Sequence, residues 1–120
     1  MIVPVIKGLS SPVLDRPALP PNPEDCAILC EVEIGPKDGE GADLFHVTVA
    51  TPAFFLRSGG VTWGRGHLIV DQFSWSAIDR ALEKLCLHAW RATWHEVAQE
   101  LNKELHWEFE NYTPWKPNER

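Results

Sequence analysis

The sequence predicts an α+β domain of two layers, a mostly antiparallel sheet with two C-terminal helices packed on one face. Two observations carry this. Apolar residues recur at a period of two up to about residue 73, and the period then changes to about 3.6. Strands that come first and amphipathic helices that come last fit together when the helices' apolar stripes cover one face of the sheet. The size agrees, since 120 residues with 44% hydrophobic and 23% charged residues form one ordinary globular domain.

Residues 1–25 read as a proline-rich arm and 26–120 as the single domain. Pro4, Pro12, Pro17, Pro20, Pro21 and Pro23 lie in this arm, and proline fixes φ and removes a ladder donor. Residues 2–6 are therefore an edge strand at most, and Leu9–Pro23 is an extended wrap. CAILCEVEI, residues 26–34, then alternates as a half-buried strand with Ile28, Cys30, Val32 and Ile34 inward. After the acidic loop GPKDGEGAD, LFHVTVAT resumes the alternation with Phe45, Val47 and Val49 inward, so the pair forms an antiparallel hairpin. Pro52 ends the second strand and AFFL turns back under the core. RSGGVTWGRG is a glycine-rich loop, and HLIVDQF, residues 67–73, is a short strand.

Ile78, Leu82, Leu85 and Ala89 then share one helical stripe, with Ser76 and Asp79 as an approximate capping box. Thr93 and Glu96 form a sharper T-x-x-E box, followed by Trp94, Val97, Ala98, Leu101 and Leu105 on one face of a helix that stops near Leu105 or His106. WEFENY, residues 107–112, is a further short strand or an ordered tail held by Trp107, Phe109 and Tyr112.

Catalytic and metal signatures are sparse. Cys26 and Cys30 sit four residues apart on one strand face, roughly 13 Å at ~3.3 Å per residue, too far for one zinc or a disulfide. Cys86 lies beside Leu82 and Leu85, where a thiol behaves as a small apolar group. His46, His67, His88, His95 and His106 make no H-E-x-x-H, and there is no G-x-S-x-G, G-x-G-x-x-G or G-K-[ST]. Neither a metal nor any other cofactor is expected. His46, Glu31, Glu33, His67 and Asp71 fit two readings: an acid–base cluster, or polar groups covering an exposed sheet face.

The charge distribution says more. The formal net charge is −6, which repels nucleic acid phosphates and anionic membrane and suits a basic partner. Residues 24–43 hold seven acids against Lys37 alone, so this hairpin carries a local charge equal to the whole net charge. Glu96, Glu100 and Glu104 follow at i, i+4 and i+8, where like charges cost about 0.2–0.5 kcal/mol per pair. Both features serve solubility or present an acidic patch to a partner. Of the six tryptophans, Trp94 reads as core, whereas Trp63 in a glycine loop and Trp115 between prolines have no evident interior to enter and resemble interface anchors. MIVPVIKGLSSP is interrupted by Pro4 and Lys7 before a signal-peptide core forms, no apolar run approaches ~20 residues, and the three cysteines have no disulfide spacing. A cytoplasmic location is expected.

IGPKDGEGADLFHVTVATP (34–52), HLIVDQFSW (67–75), TWHEV (93–97) and HWEFENY (106–112), in that order and spacing, resemble the immunity protein 8 family of bacterial polymorphic toxin and contact-dependent growth inhibition systems. The resemblance covers about residues 26–112. It implies a non-catalytic cytoplasmic protein that neutralises the toxin domain of its own locus, often a nuclease, by stoichiometric binding. The family has no catalytic residues to carry over. The toxin-facing residues expected from this chain are Glu31, Glu33, Asp38, Glu40 and Asp43 on the hairpin, then Glu100 and Glu104. Two other functions compete: a small hydrolase or isomerase using His46, His67 and nearby carboxylates, and a non-catalytic adaptor subunit with a tryptophan-rich interface.

Overall fold

A computed structural model describes residues 1–110, so the expected positions of Tyr112 and Trp115 lie outside the described residues. Strands β1 (Pro4–Ser10), β2 (Ala27–Pro36) and β3 (Asp43–Ala50) are followed by helix α1 (Pro52–Ser58) and strand β4 (His67–Ile69). Helices α2 (Trp75–Leu87) and α3 (Trp94–Leu101) and the two-residue strand β5 (His106–Trp107) complete the chain. The sheet order is β1-β2-β3-β4, with β5 also paired to β3. All pairings are antiparallel except β3 with β4. The fold is α+β, as the change of period predicts.

The inward positions of the hairpin are Cys30, Val32 and Ile34 on β2 and Phe45, Val47 and Val49 on β3, all at most 2% exposed. They form one core with Trp75, Ile78, Leu82 and Cys86 of α2, Val97, Ala98 and Leu101 of α3, and Leu105 beyond it. The three thiols are free and buried. Burial pushes Cys30 up to about 11, and burial with Glu83 nearby pushes Cys86 up to about 11.

Several boundaries differ from the sequence expectation, each for a local reason. The edge strand runs over Pro4–Ser10, longer than residues 2–6, because a bulge at Lys7 resets the register between Ile6 and Gly8 and lets pairing continue. The rest of the arm is fastened to α2: Arg16 meets Asp79 at 2.6 Å and lies 5.3 Å from the Trp75 ring, whose indole N–H donates to Ala18 O at 2.8 Å. Residues 53–56 do not turn under the core. Pro52 starts α1 after the buried cap Thr51, and α1 has no buried residue, because α2 and α3 already cover the inner face. Strand β4 stops at Ile69. The chain then leaves the sheet, with Phe73 N donating to Pro23 O at 2.7 Å.

Ser74, not Ser76, caps α2, since its hydroxyl accepts from Ala77 N at 3.3 Å. Thr93 caps α3 as expected, accepting from Glu96 N at 3.2 Å, but the helix ends at Leu101 and Leu105 enters the core from the following turn. The expected C-terminal strand shrinks to β5, in which Trp107 lies opposite Phe45 and His106 opposite His46.

Candidate functional site

The strand alternation that buries Val32 and Phe45 sends their neighbours to the other face. Across β2 and β3 the outward pairs are Leu29 with Thr48, Glu31 with His46 and Glu33 with Leu44. One row continues in both directions, from Ser10 through Glu31 and His46 to His106. His46 Nε2 lies 3.7 Å from Glu31 Oε1, and His106 Nδ1 lies 3.4 Å from Glu110 Oε1. Glu33 is exposed, and its carboxylate lies so close above Gly8 that a Cβ there would approach Oε2 to 3.4 Å.

At one end of this face the β2–β3 turn presents Asp38 and Glu40, both exposed. Gly35 packs so tightly that a Cβ would come within 2.2 Å of Gly41 O, which makes the turn narrow. Lys7 from the neighbouring strand donates to Gly39 O at 2.6 Å and Gly41 O at 3.0 Å. Counting charge along the hairpin alone misses this cation, because the bulge that places it belongs to β1.

Asp43 closes the turn with a different role. Its Oδ2 accepts the indole N–H groups of Trp94 at 2.8 Å and Trp107 at 3.0 Å, so one carboxylate oxygen joins β3, α3 and β5. Trp107 stands edge-on to His95, with ring centres 5.7 Å apart. Nearby, the Glu108 side chain accepts from Leu44 N, and Glu108 N donates to Leu44 O at 3.0 Å.

The three glutamates near α3 separate. Glu96 belongs to the cap, with Thr93 Oγ1 donating to its Oε1 at 2.9 Å. Glu100 meets Lys103 at 2.8 Å and Arg91 at 3.2 Å, and the Lys103 hydrogen bond, with Arg91 adding to it, holds the carboxyl below the ordinary carboxylate range. Glu104 lies past the end of α3, exposed, and lines a cavity of about 320 Å³ together with Val47, Leu68 and Leu82. The i, i+4, i+8 spacing therefore does not produce one acidic stripe.

Of the acid–base cluster only Glu31 and His46 meet, and His67 and Asp71 have other partners. His67 Nδ1 lies 3.1 Å from Gly64 O and 3.2 Å from Arg65 O, so this nitrogen carries the proton and donates, while the ring stands edge-on to Phe55 with centres 5.6 Å apart. Asp71 accepts from Gln72 N at 2.8 Å, and His46 faces Glu31. Among the described residues no group of three His, Cys, Asp or Glu side chains is arranged to hold a metal ion. Nor is any helix there long and apolar enough to cross a membrane.

Arg65 is a key residue that the sequence did not mark. Its guanidinium donates to Asn102 O at 2.7 Å, Asn102 Oδ1 at 2.8 Å, Leu105 O at 3.3 Å and Glu110 Oε2 at 2.5 Å. It thus ties the glycine-rich loop to the C-terminal carbonyls of α3. Gly66 beside it has φ of +80°, and a Cβ there would come within 2.3 Å of the His106 ring. An arginine between two glycines is the only sequence signal of this clasp.

These features define a class: a small two-layer α+β protein with α2 and α3 on one sheet face, and with carboxylates along the other face and at its turn. The family model described as Immunity protein 8 matches residues 6–112, and the chain belongs to that family. No curated protein and no solved structure matches the chain.

Proposed function

We propose that this immunity protein neutralises a basic, nuclease-type toxin domain of its own locus by stoichiometric binding through the acidic sheet face and turn, without catalysis of its own. The observation that carries the reading is that Glu31 and Glu33 point away from the face that α2 and α3 cover, while Asp38 and Glu40 stand exposed in the adjoining turn. A nuclease must hold phosphates with Lys and Arg, and an acidic surface both attracts and occupies such a site. Glu33, Asp38 and Glu40 have no ion pair among the described residues, so their charge is directed at solvent and at an approaching partner. Glu31, shared with His46, extends the patch. Asp43 orients the turn through its two indoles. Glu100 and Glu104 form a second, weaker acidic area, with Glu100 already matched by two cations.

In this reading the protein acts in the cytoplasm as the self-protection arm of a contact-dependent growth inhibition system. It needs no cofactor, and it binds neither nucleic acid nor membrane itself. The test is the association kinetics of the chain with a catalytically inactivated toxin domain from the adjoining gene, at low and high salt. Reversal of two turn charges (Asp38→Lys with Glu40→Lys) should slow association about 10-fold or more at low salt and much less at high salt, with folding unchanged. An unchanged rate and salt slope would place the interface elsewhere.

A further inference from the structure

The three most exposed large apolar side chains among the described residues are Val61 at 103%, Trp63 at 91% and Leu56 at 85%. They lie within eight consecutive residues, at the end of α1 and in the glycine-rich loop. Together they show water roughly 500 Å² of apolar surface, the indole alone up to about 250 Å². Folding gains nothing from this exposure.

Both ends of the loop are held. Before it, Arg57 Nε donates to the Asp25 carboxylate at 3.1 and 3.2 Å, and Gly59 N caps α1 on Phe55 O at 3.0 Å. After it, Arg65 binds Asn102, Leu105 and Glu110, and Gly66 N donates to Glu104 O at 3.0 Å. A loop fixed at both ends offers its tip in a restricted set of conformations, which lowers the entropy lost on binding.

The surface beneath is continuous with the acidic face. Phe55 stands against His67, His67 lies opposite Thr48, and Thr48 lies opposite Leu29, one strand position pair from Glu31 and His46. The opposite end of β3 carries the acidic turn. Thr48, where Gly66 joins the sheet, is five residues or roughly 17 Å along β3 from Asp43 at that turn, within the width of a standard interface burying ~800 Å² per partner.

We propose that the Leu56–Trp63 loop is the apolar anchor of the toxin-binding surface, seating the Trp63 indole in an apolar cleft of the cognate toxin domain. The inference rests on the toxin reading above and adds to it a second, uncharged contact. Area decides for this occupant over a second copy. Two such loops meeting would bury about 1,000 Å², below the ~1,200 Å² at which stable interfaces begin. The turn steers the encounter by charge and the loop holds the complex by burial, so the two contributions respond differently to salt.

The experiment is a titration of the inactivated toxin domain with the wild-type chain, Trp63→Ala and Leu56→Ser, at low and high salt, with a thermal melt and sedimentation of each free protein. Trp63→Ala should weaken binding about 30-fold or more by the same factor at both salts, mainly through faster dissociation, with an unchanged melt. Leu56→Ser should weaken it less. Wild-type binding that Trp63→Ala leaves intact overturns the anchor while the toxin reading stands. A wild-type chain that fails to bind the toxin overturns both. Concentration-dependent self-association lost in Trp63→Ala identifies a second copy as the occupant and overturns the assignment to the toxin.

Discussion

Two indole N–H groups end on one oxygen of Asp43, so changing this residue affects three elements at once. Asp43→Ala should destabilise the fold by roughly 1–3 kcal/mol in urea denaturation, and Asp43→Asn by less than half as much because an acceptor oxygen remains. Tryptophan fluorescence should shift to the red in the alanine variant as Trp94 and Trp107 lose their partner. The thiols give a second check. Cys30 and Cys86 stay protonated in the folded protein up to about 11, whereas the unfolded chain releases these protons near the ordinary value of 9.0. The folded state then binds more protons than the unfolded one, so their contribution is complete below pH 9 and is lost as pH rises from 9 to 11, by up to about 2–3 kcal/mol per thiol. Cys30→Ala should flatten that alkaline decline, and both thiols should resist alkylation at pH 8 until the protein is unfolded. At this scale the sequence showed that Cys30, Val32, Val47 and Val49 are buried because period two sorts them, and that Cys86 and Val97 are buried because the helical stripe does. It could not show that Asp43 serves two tryptophans more than fifty residues away, since that contact depends on where α3 and β5 dock.

Elements were legible where a cap and a stripe agreed. Thr93 with Glu96 marked the start of α3, and alternation alone marked the inward residues of the hairpin. The start of α2 was misplaced by two residues because Ser74 and Ser76 are both capping residues, and the choice depends on which backbone N–H the chain presents. Ser74→Ala should therefore cost about 1 kcal/mol in thermal unfolding, while Ser76→Ala stays within about 0.5 kcal/mol. α1 escaped notice because AFFL is shorter than one helical repeat of pattern, and an exposed helix leaves no buried stripe to read.

At the scale of the whole molecule, the net charge of −6 is distributed rather than uniform. The acids lie in the β2–β3 turn and along the open face, while the loop between α1 and β4 is acid-free and apolar. The hairpin part of this asymmetry is visible in sequence because its acids are neighbours in the chain. Where the loop rejoins the sheet, with Gly66 beside Thr48, follows from the parallel β3–β4 pairing, which sequence periodicity does not encode. An immunity function asks for such a surface: attraction at a distance, then exclusion of water on contact.

The central claim is that the chain neutralises a toxin by binding it. The most direct measurement co-expresses the chain with the active toxin domain of the adjoining gene, scoring growth and the stoichiometry of the purified complex. The account predicts restored growth and a stable one-to-one complex. Continued killing by an active toxin, with both proteins folded and no complex recovered, would contradict it.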